Sequence, residues 1–155
     1  MKYRRAKLAD VEKIGKMLCK CFNISSLKEG KQTFLRERKS DNFIVAEENG
    51  KLVGVISWDM HGLPKHQLVG IERIGILASK KRDAVAKRLL QEAIQDADKY
   101  FKLLNLKLRK MYAMVHSNNR KLRNFYKKMG FEEEAKIKDH YYKGVDEYIL
   151  SIFFE

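Results

Sequence analysis

Between Met111 and Phe131 the chain reads Met-Tyr-Ala-Met-Val-His-Ser-Asn-Asn-Arg-Lys-Leu-Arg-Asn-Phe-Tyr-Lys-Lys-Met-Gly-Phe, and this run leaves few folds open. Its first residues suit a strand. Ser117, Asn118 and Asn119 then offer side-chain oxygens to the orphan amides of a helix start. Leu122, Phe125, Tyr126 and Met129 recur at i, i+3, i+4 and i+7, the spacing of one helical face. Lys121, Arg123, Lys127 and Lys128 take the solvent side. Gly130 suits the left-handed position that ends a helix, and Phe131 opens a second strand. Taken alone, the run is also compatible with an ordinary strand-helix-strand unit whose Tyr126 packs in a core.

The chain has 155 residues, 45% of them hydrophobic, with a single Pro and no low-complexity tract. These features predict one domain over 1–155 with a sizeable core. No apolar run reaches membrane-spanning length, and Met-Lys-Tyr-Arg-Arg leads into alternating and then helical pattern rather than a signal-peptide core. The expected location is cytoplasmic, with no membrane partner. Cys19 and Cys21 point to different faces of a helical pattern. His61, His66, His116 and His140 are scattered, so no zinc spacing exists and no metal is expected. Lys and Arg outnumber Asp and Glu by 33 to 20, a formal charge of +13. Such a field attracts anions: coenzyme phosphates, an acidic protein, or RNA. The charge is spread along the chain, as solvated helix faces also require.

The remaining pattern predicts a strand over Lys2 to Lys7 and a helix over Asp10 to Phe22. A second helix follows the capping-box sequence Ser26-Leu-Lys-Glu29 to about Lys39. Strands over Asn42 to Glu48 and Lys51 to Met60 flank Asn49-Gly50, which suits a type I′ turn. Another strand covers Gln67 to Leu77. The turn Ala78 to Asp83 leads into a long helix striped by Ala86, Leu89, Leu90, Ala93, Ile94 and Ala97. Two strands, Phe131 to Asp139 and Asp146 to Phe154, close the chain around Tyr141-Tyr-Lys-Gly144. The order β-α-α-β-β-β-α-β-α-β-β predicts a mixed α/β (α+β) architecture. About seven strands form its sheet, with four helices on the faces. The crossover from Gln67 to His116 makes those two strands parallel.

Asn119, Phe125-Tyr126 and Gly130-Phe131, set in this order of elements, resemble the GNAT superfamily of acyl-CoA-dependent N-acetyltransferases. The likeness covers essentially the whole chain. It implies the GNAT fold and transfer of an acetyl group from acetyl-CoA to a primary amine through a ternary complex. It places Asn119 at the start of a helix beside the coenzyme and makes Tyr126 the proton donor to the departing thiolate. It puts the pyrophosphate on the turn before the long helix, where Lys81-Arg82-Asp83-Ala84-Val85-Ala86 aligns with the family's phosphate motif. Ala86 fits that motif; Lys81 stands for the usual Gln or Arg, and Ala84 for the usual Gly. Ala adds a methyl group where phosphate approaches the backbone. Lys81 and Arg82 add charge, and Asp83 is expected to point away or cap the helix. Ile74-Gly75-Ile76 aligns with the segment whose backbone bonds the pantetheine arm and polarises the thioester carbonyl.

An amine attacks a thioester only when unprotonated, so a general base helps. Glu72, two residues before Ile74 and hence on its face of the strand, is the first candidate. A structural ion pair, for example with Arg73, is the other reading of that carboxylate. His116, at the end of the parallel strand, is the second candidate, and an ordered water is the third. His140 to Leu150 resembles the segment that enzymes acetylating protein N-termini, the ribosomal-protein alanine group among them, set beside substrate. Tyr141 and Tyr142 are therefore candidate substrate-binding residues. The segment Asn23 to Lys28 and Met114 depart from that group. The expected acceptor is a protein or peptide amine, with a polyamine or other metabolite amine as the alternative. A non-catalytic module of the same fold that binds RNA or the ribosome is the reading from another class. Either a monomer or a homodimer is compatible with the sequence.

Overall fold

The computed structural model describes residues Met1–Glu155. Seven strands form one mixed sheet in the order β1-β2-β3-β4-β5-β7-β6. They are β1 (Lys2–Arg5), β2 (Asn42–Glu48), β3 (Lys51–Met60), β4 (Leu68–Ile76), β5 (Lys110–His116), β6 (Glu132–Tyr142) and β7 (Val145–Phe153). The four helices are α1 (Val11–Cys21), α2 (Leu27–Glu37), α3 (Arg82–Lys102) and α4 (Arg120–Lys128). The chain divides into two compact units, Met1–Asp59 with Glu72–Ala97, and Met60–Ile71 with Asp98–Glu155.

In the first unit, β1, β2 and β3 are antiparallel. Asn49 and Gly50 both take positive φ, 51° and 74°, as the Asn-Gly hairpin requires. Ile14, Met17 and Leu18 of α1 pack with Phe34 of α2 and with Phe43, Val45, Leu52 and Val55 of the sheet. The Phe34 and Phe43 rings meet edge-on at 5.1 Å. Gly15 and Gly30 let α1 and α2 touch backbone to backbone: a Cβ on Gly30 would lie 2.4 Å from the Gly15 carbonyl oxygen. Ser26 caps α2 by accepting the Glu29 amide at 3.1 Å. The return half of the capping box is displaced by one residue, because the Glu29 carboxylate accepts from the amide and hydroxyl of Ser25 rather than from Ser26.

In the second unit, β4 and β5 run parallel from Leu68↔Lys110 to Ile71↔Ala113, as the crossover predicts. β7 lies antiparallel between β5 and β6. Met111, Ala113 and Val115 alternate inward along β5, and Tyr126 of α4 and Phe131 after it are buried. The Arg123 guanidinium stacks 3.9 Å from the Tyr148 ring and bonds the Glu133 carboxylate at 2.7 Å, which holds α4 over β6 and β7. β6 is longer than the sequence pattern suggests. It runs to Tyr142, so Tyr141 and Tyr142 are strand residues, and Lys143-Gly144 alone makes the turn.

Candidate active site

In the first unit, the end of β4 leads into the start of α3. The β4–β5 pairing stops at Ile71, so Ile74, Gly75 and Ile76 lie beyond the last rung of that ladder. Their backbone groups on that side have no β5 partner. Gly75 also has a packing reason: a Cβ there would come within 2.8 Å of Cys21 Cβ and 3.0 Å of the Phe22 ring. The turn that follows is tied by Ser79, whose hydroxyl accepts the Lys81 amide at 3.2 Å and whose carbonyl accepts the Arg82 amide at 3.3 Å. The amides of Asp83 and Ala84 donate to no backbone carbonyl, while the Val85 amide closes the first helical bond to Lys81 at 3.0 Å. Free amides at a helix start, with the dipole behind them, make an anion site.

Lys81, Arg82, Asp83 and Ala84 are exposed, whereas Val85 and Ala86 face the core. Asp83 stands within the first turn rather than at its cap. Lys81 is already engaged: its ammonium bonds the Glu48 carboxylate at 2.7 Å. Arg82, the first residue of α3, brings an exposed positive charge to the helix start itself.

Glu72 departs from expectation. It is exposed on β4, so the burial expected to make it a base is absent. Arg73 makes two bonds, of 2.7 and 2.8 Å, to Glu37 at the end of α2, and also feels the Glu72 charge. Sequence reasoning missed Asp41, which lies close enough to Glu72, Glu37 and Asp59 to feel all three charges. Burial lifts the Asp41 carboxyl from 3.8 to about 6, the three carboxylates adding to the rise and a hydrogen bond from Ser40 opposing it. No short-range motif marks such a group, because its members come from α2, the following loop, β3 and β4.

The sign of the resulting stability effect is fixed. A carboxyl whose folded pKa is raised favours the folded state while protonated. Its contribution is complete below about pH 4 and fades as pH rises through about 6. Asp41→Asn should therefore flatten the decline in stability between pH 4 and 6 and raise the melting temperature at pH 7.5. Thermal melts of both proteins across that range check this; parallel pH profiles would contradict it.

In the second unit, Asn119 caps α4 by accepting the Leu122 amide at 3.2 Å. Ser117 does not share that task. Its hydroxyl accepts the Asp146 amide at 3.1 Å and so fastens the end of β5 to β7. Tyr126 is 1% exposed, with its ring 5.4 Å from Phe125 and 5.1 Å from Phe131. Burial pushes its phenol well above the usual range and keeps it protonated. His116 ends β5 directly opposite Glu147 of β7, and Nδ1 of the imidazole makes a short contact with Oε2 of that carboxylate. The Tyr141 and Tyr142 rings stand edge-on to the His116 ring, at 5.9 and 5.8 Å. Glu147 went unnoticed in the sequence, although an acidic residue in the Asp146-Glu-Tyr strand was its one available signal. No group of three or more His, Cys, Asp or Glu is placed to hold a metal, and no helix is long and apolar enough to cross a membrane.

Residues 11–131 match the model of the acetyltransferase (GNAT) family, and the chain belongs to that family. Solved structures share its fold. A Streptococcus mutans UA159 protein superposes with a TM-score of 0.81 at 22% identity, each chain covered in full. A ribosomal-protein-alanine N-acetyltransferase from Brucella melitensis gives 0.77 at 17%, covering 99% of this chain and all of the other. A spermidine N-acetyltransferase from Vibrio cholerae gives 0.75 at 20%, covering 98% and 92%. No curated protein matches the sequence.

Proposed function

We propose that residues 1–155 act as one N-acetyltransferase domain that moves the acetyl group of acetyl-CoA to a protein or peptide amine. The observation that carries this reading is the exposed turn Ser79 to Ala84, with the Asp83 and Ala84 amides unpaired at the mouth of α3. A pyrophosphate needs such donors, and Arg82 adds exposed charge at the helix start. The backbone of Ile74 to Ile76 then serves the pantetheine arm. Tyr126 gives a hydrogen bond to the sulfur as negative charge develops there. Tyr141 and Tyr142 flank the acceptor. The carboxylates gathered around Asp41, Glu72 among them, favour an approaching ammonium by charge.

That acidic group also favours a second reading. Asp41, Asp59 and Glu72 come together from different elements, with Glu37 already paired to Arg73, and such a concentration of negative charge suits a polycationic amine such as spermidine, which the scattered acidic residues of the sequence did not suggest. One assay separates the two. Thiol release from acetyl-CoA is followed with a peptide bearing a free N-terminus, an N-acetylated lysine peptide, and spermidine. The proposal expects the free N-terminal peptide to exceed spermidine in kcat/KM by at least about tenfold. A reversed order would establish the polyamine reading instead.

A further inference from the structure

The sequence left the base open among Glu72, His116 and water. We propose that His116 is the general base that takes the proton from the acceptor ammonium, and that Glu147 is the residue that positions it. This rests on the acetyl-transfer reading of the preceding section. The two residues are register partners across β5 and β7, so their side chains stand on one face of the sheet. Their burial is unequal: the Glu147 side chain is 3% exposed and that of His116 is 43%. In the proposed dyad the Glu147 carboxylate accepts from Nδ1–H, which leaves Nε2 with its lone pair. A buried carboxylate is costly without a partner, which gives the pair a reason to hold one tautomer and one ring orientation. The exposed member is the imidazole, and its free nitrogen is the one able to meet a substrate.

The surroundings of the ring are built as well. Between the pairs Ile137↔Glu147 and Tyr142↔Val145, the four residues Lys138, Asp139, His140 and Tyr141 lie opposite the single residue Asp146. This bulge is fastened: Asp139 takes φ 47°, its amide donates to the Asp146 carboxylate at 3.0 Å, and its own carboxylate accepts the Gly144 amide at 2.9 Å. Bulges re-aim side chains, and here both tyrosine rings turn to His116. They remain 61% and 55% exposed, an aromatic wall beside an available base. The groups facing His116 are thus Glu147 from β7 and Tyr141 and Tyr142 from β6. His140 packs behind Tyr141 at 4.6 Å, and Asp146 is held by Lys136 at 3.2 Å. The His116 carbonyl accepts the Asn119 amide at 2.9 Å, so the base stands at the entrance to α4.

The proton balance is simple. An acceptor ammonium gives one proton to Nε2, from which it passes to solvent. The freed nitrogen pair bonds the thioester carbonyl carbon, and the C–S bond breaks with its electrons on sulfur. The second N–H proton ends on that sulfur, giving amide and free thiol. An imidazole base suits an α-amino group, whose ordinary pKa is about 7.7–8.0, better than a lysine or polyamine near 10.4.

The test uses the whole protein, acetyl-CoA and the peptide with a free N-terminus. His116→Gln should lower kcat/KM about 20-fold at pH 7 and progressively less towards pH 9, where the amine deprotonates unaided. Acetyl-CoA affinity by calorimetry should stay within twofold. Glu147→Gln should fall in the same direction, and the double variant should lose little more than either single one. Long-range nitrogen–proton NMR should show the Nδ1–H tautomer of His116 in the parent and its loss in Glu147→Gln. If His116→Gln keeps the parent rate at pH 7 while peptide is acetylated, the assignment is wrong. If the parent neither binds acetyl-CoA nor transfers acetyl, the acetyl-transfer reading fails on its own. The tautomer then decides the dyad: a proton on Nε2 overturns it, and one on Nδ1 upholds it. Should Glu147→Gln not fold, His116→Gln and the parent spectrum carry the test.

Discussion

Tyr126→Phe should lower kcat about 100-fold, roughly 2.7 kcal/mol of transition-state stabilisation, while acetyl-CoA affinity changes less than twofold. The size follows from what the substitution keeps and removes. Phe retains the ring contacts with Phe125 and Phe131, so the packing of α4 against the start of β6 persists. What disappears is one donor in a dry place. Burial holds the phenol protonated, so the donor is present at every physiological pH. The same burial makes the phenol a weaker acid than the thiol whose charge it meets. On the proposed mechanism Tyr126 would act by a hydrogen bond to the developing thiolate rather than by complete proton transfer. Steady-state kinetics beside calorimetry check this. An unchanged kcat would remove Tyr126 from the chemistry, and a lost acetyl-CoA affinity would make its role one of binding.

Gly30→Ala should destabilise the fold by about 3 kcal/mol, although alanine favours a helix by about 1 kcal/mol over glycine. The added methyl would stand 2.4 Å from the Gly15 carbonyl oxygen and 3.1 Å from Gly15 Cα. Those are backbone atoms of α1, so no rotamer change relieves the clash and the two helices must separate. Their separation would open the contact of Phe34 with Phe43 and Ile14, the centre of the first unit's core. A fall in melting temperature of about 8 °C is expected. Gly50→Ala is the contrasting control: nothing lies within 4 Å of its Cβ, so only the strain of a positive φ is added. A Gly30→Ala protein as stable as the parent would mean that α1 and α2 do not meet through these glycines.

What the sequence revealed and what it hid have physical explanations. The strands at Asn42–Glu48 and Lys51–Met60 appear where they were read, because alternation and Asn-Gly turn chemistry are local properties. The parallel pairing of β4 with β5 followed from the length of the crossover, and the Asn119 cap from a side chain three residues from its amide partner. The bulge at Lys138–Tyr141 left no such trace. It depends on Asp139 bonding groups of the turn and of the opposite strand. The His116–Glu147 pair required the register of β5 on β7, which periodicity along one strand cannot supply. The acidic group around Asp41 needed the end of α2, β3 and β4 brought together. The exposure of Glu72 was hidden for a related reason: an acidic residue in an apolar strand looks buried until the face it occupies is known.

Calorimetric titration of the whole protein with acetyl-CoA tests most directly the proposal that the start of α3 and the end of β4 hold the coenzyme for transfer. Saturable binding of one equivalent, with a dissociation constant in the range of about 1 μM to 1 mM and weakened at least fivefold by Arg82→Glu, is the expected result. Absence of any binding heat or thermal shift at several millimolar acetyl-CoA would contradict the account.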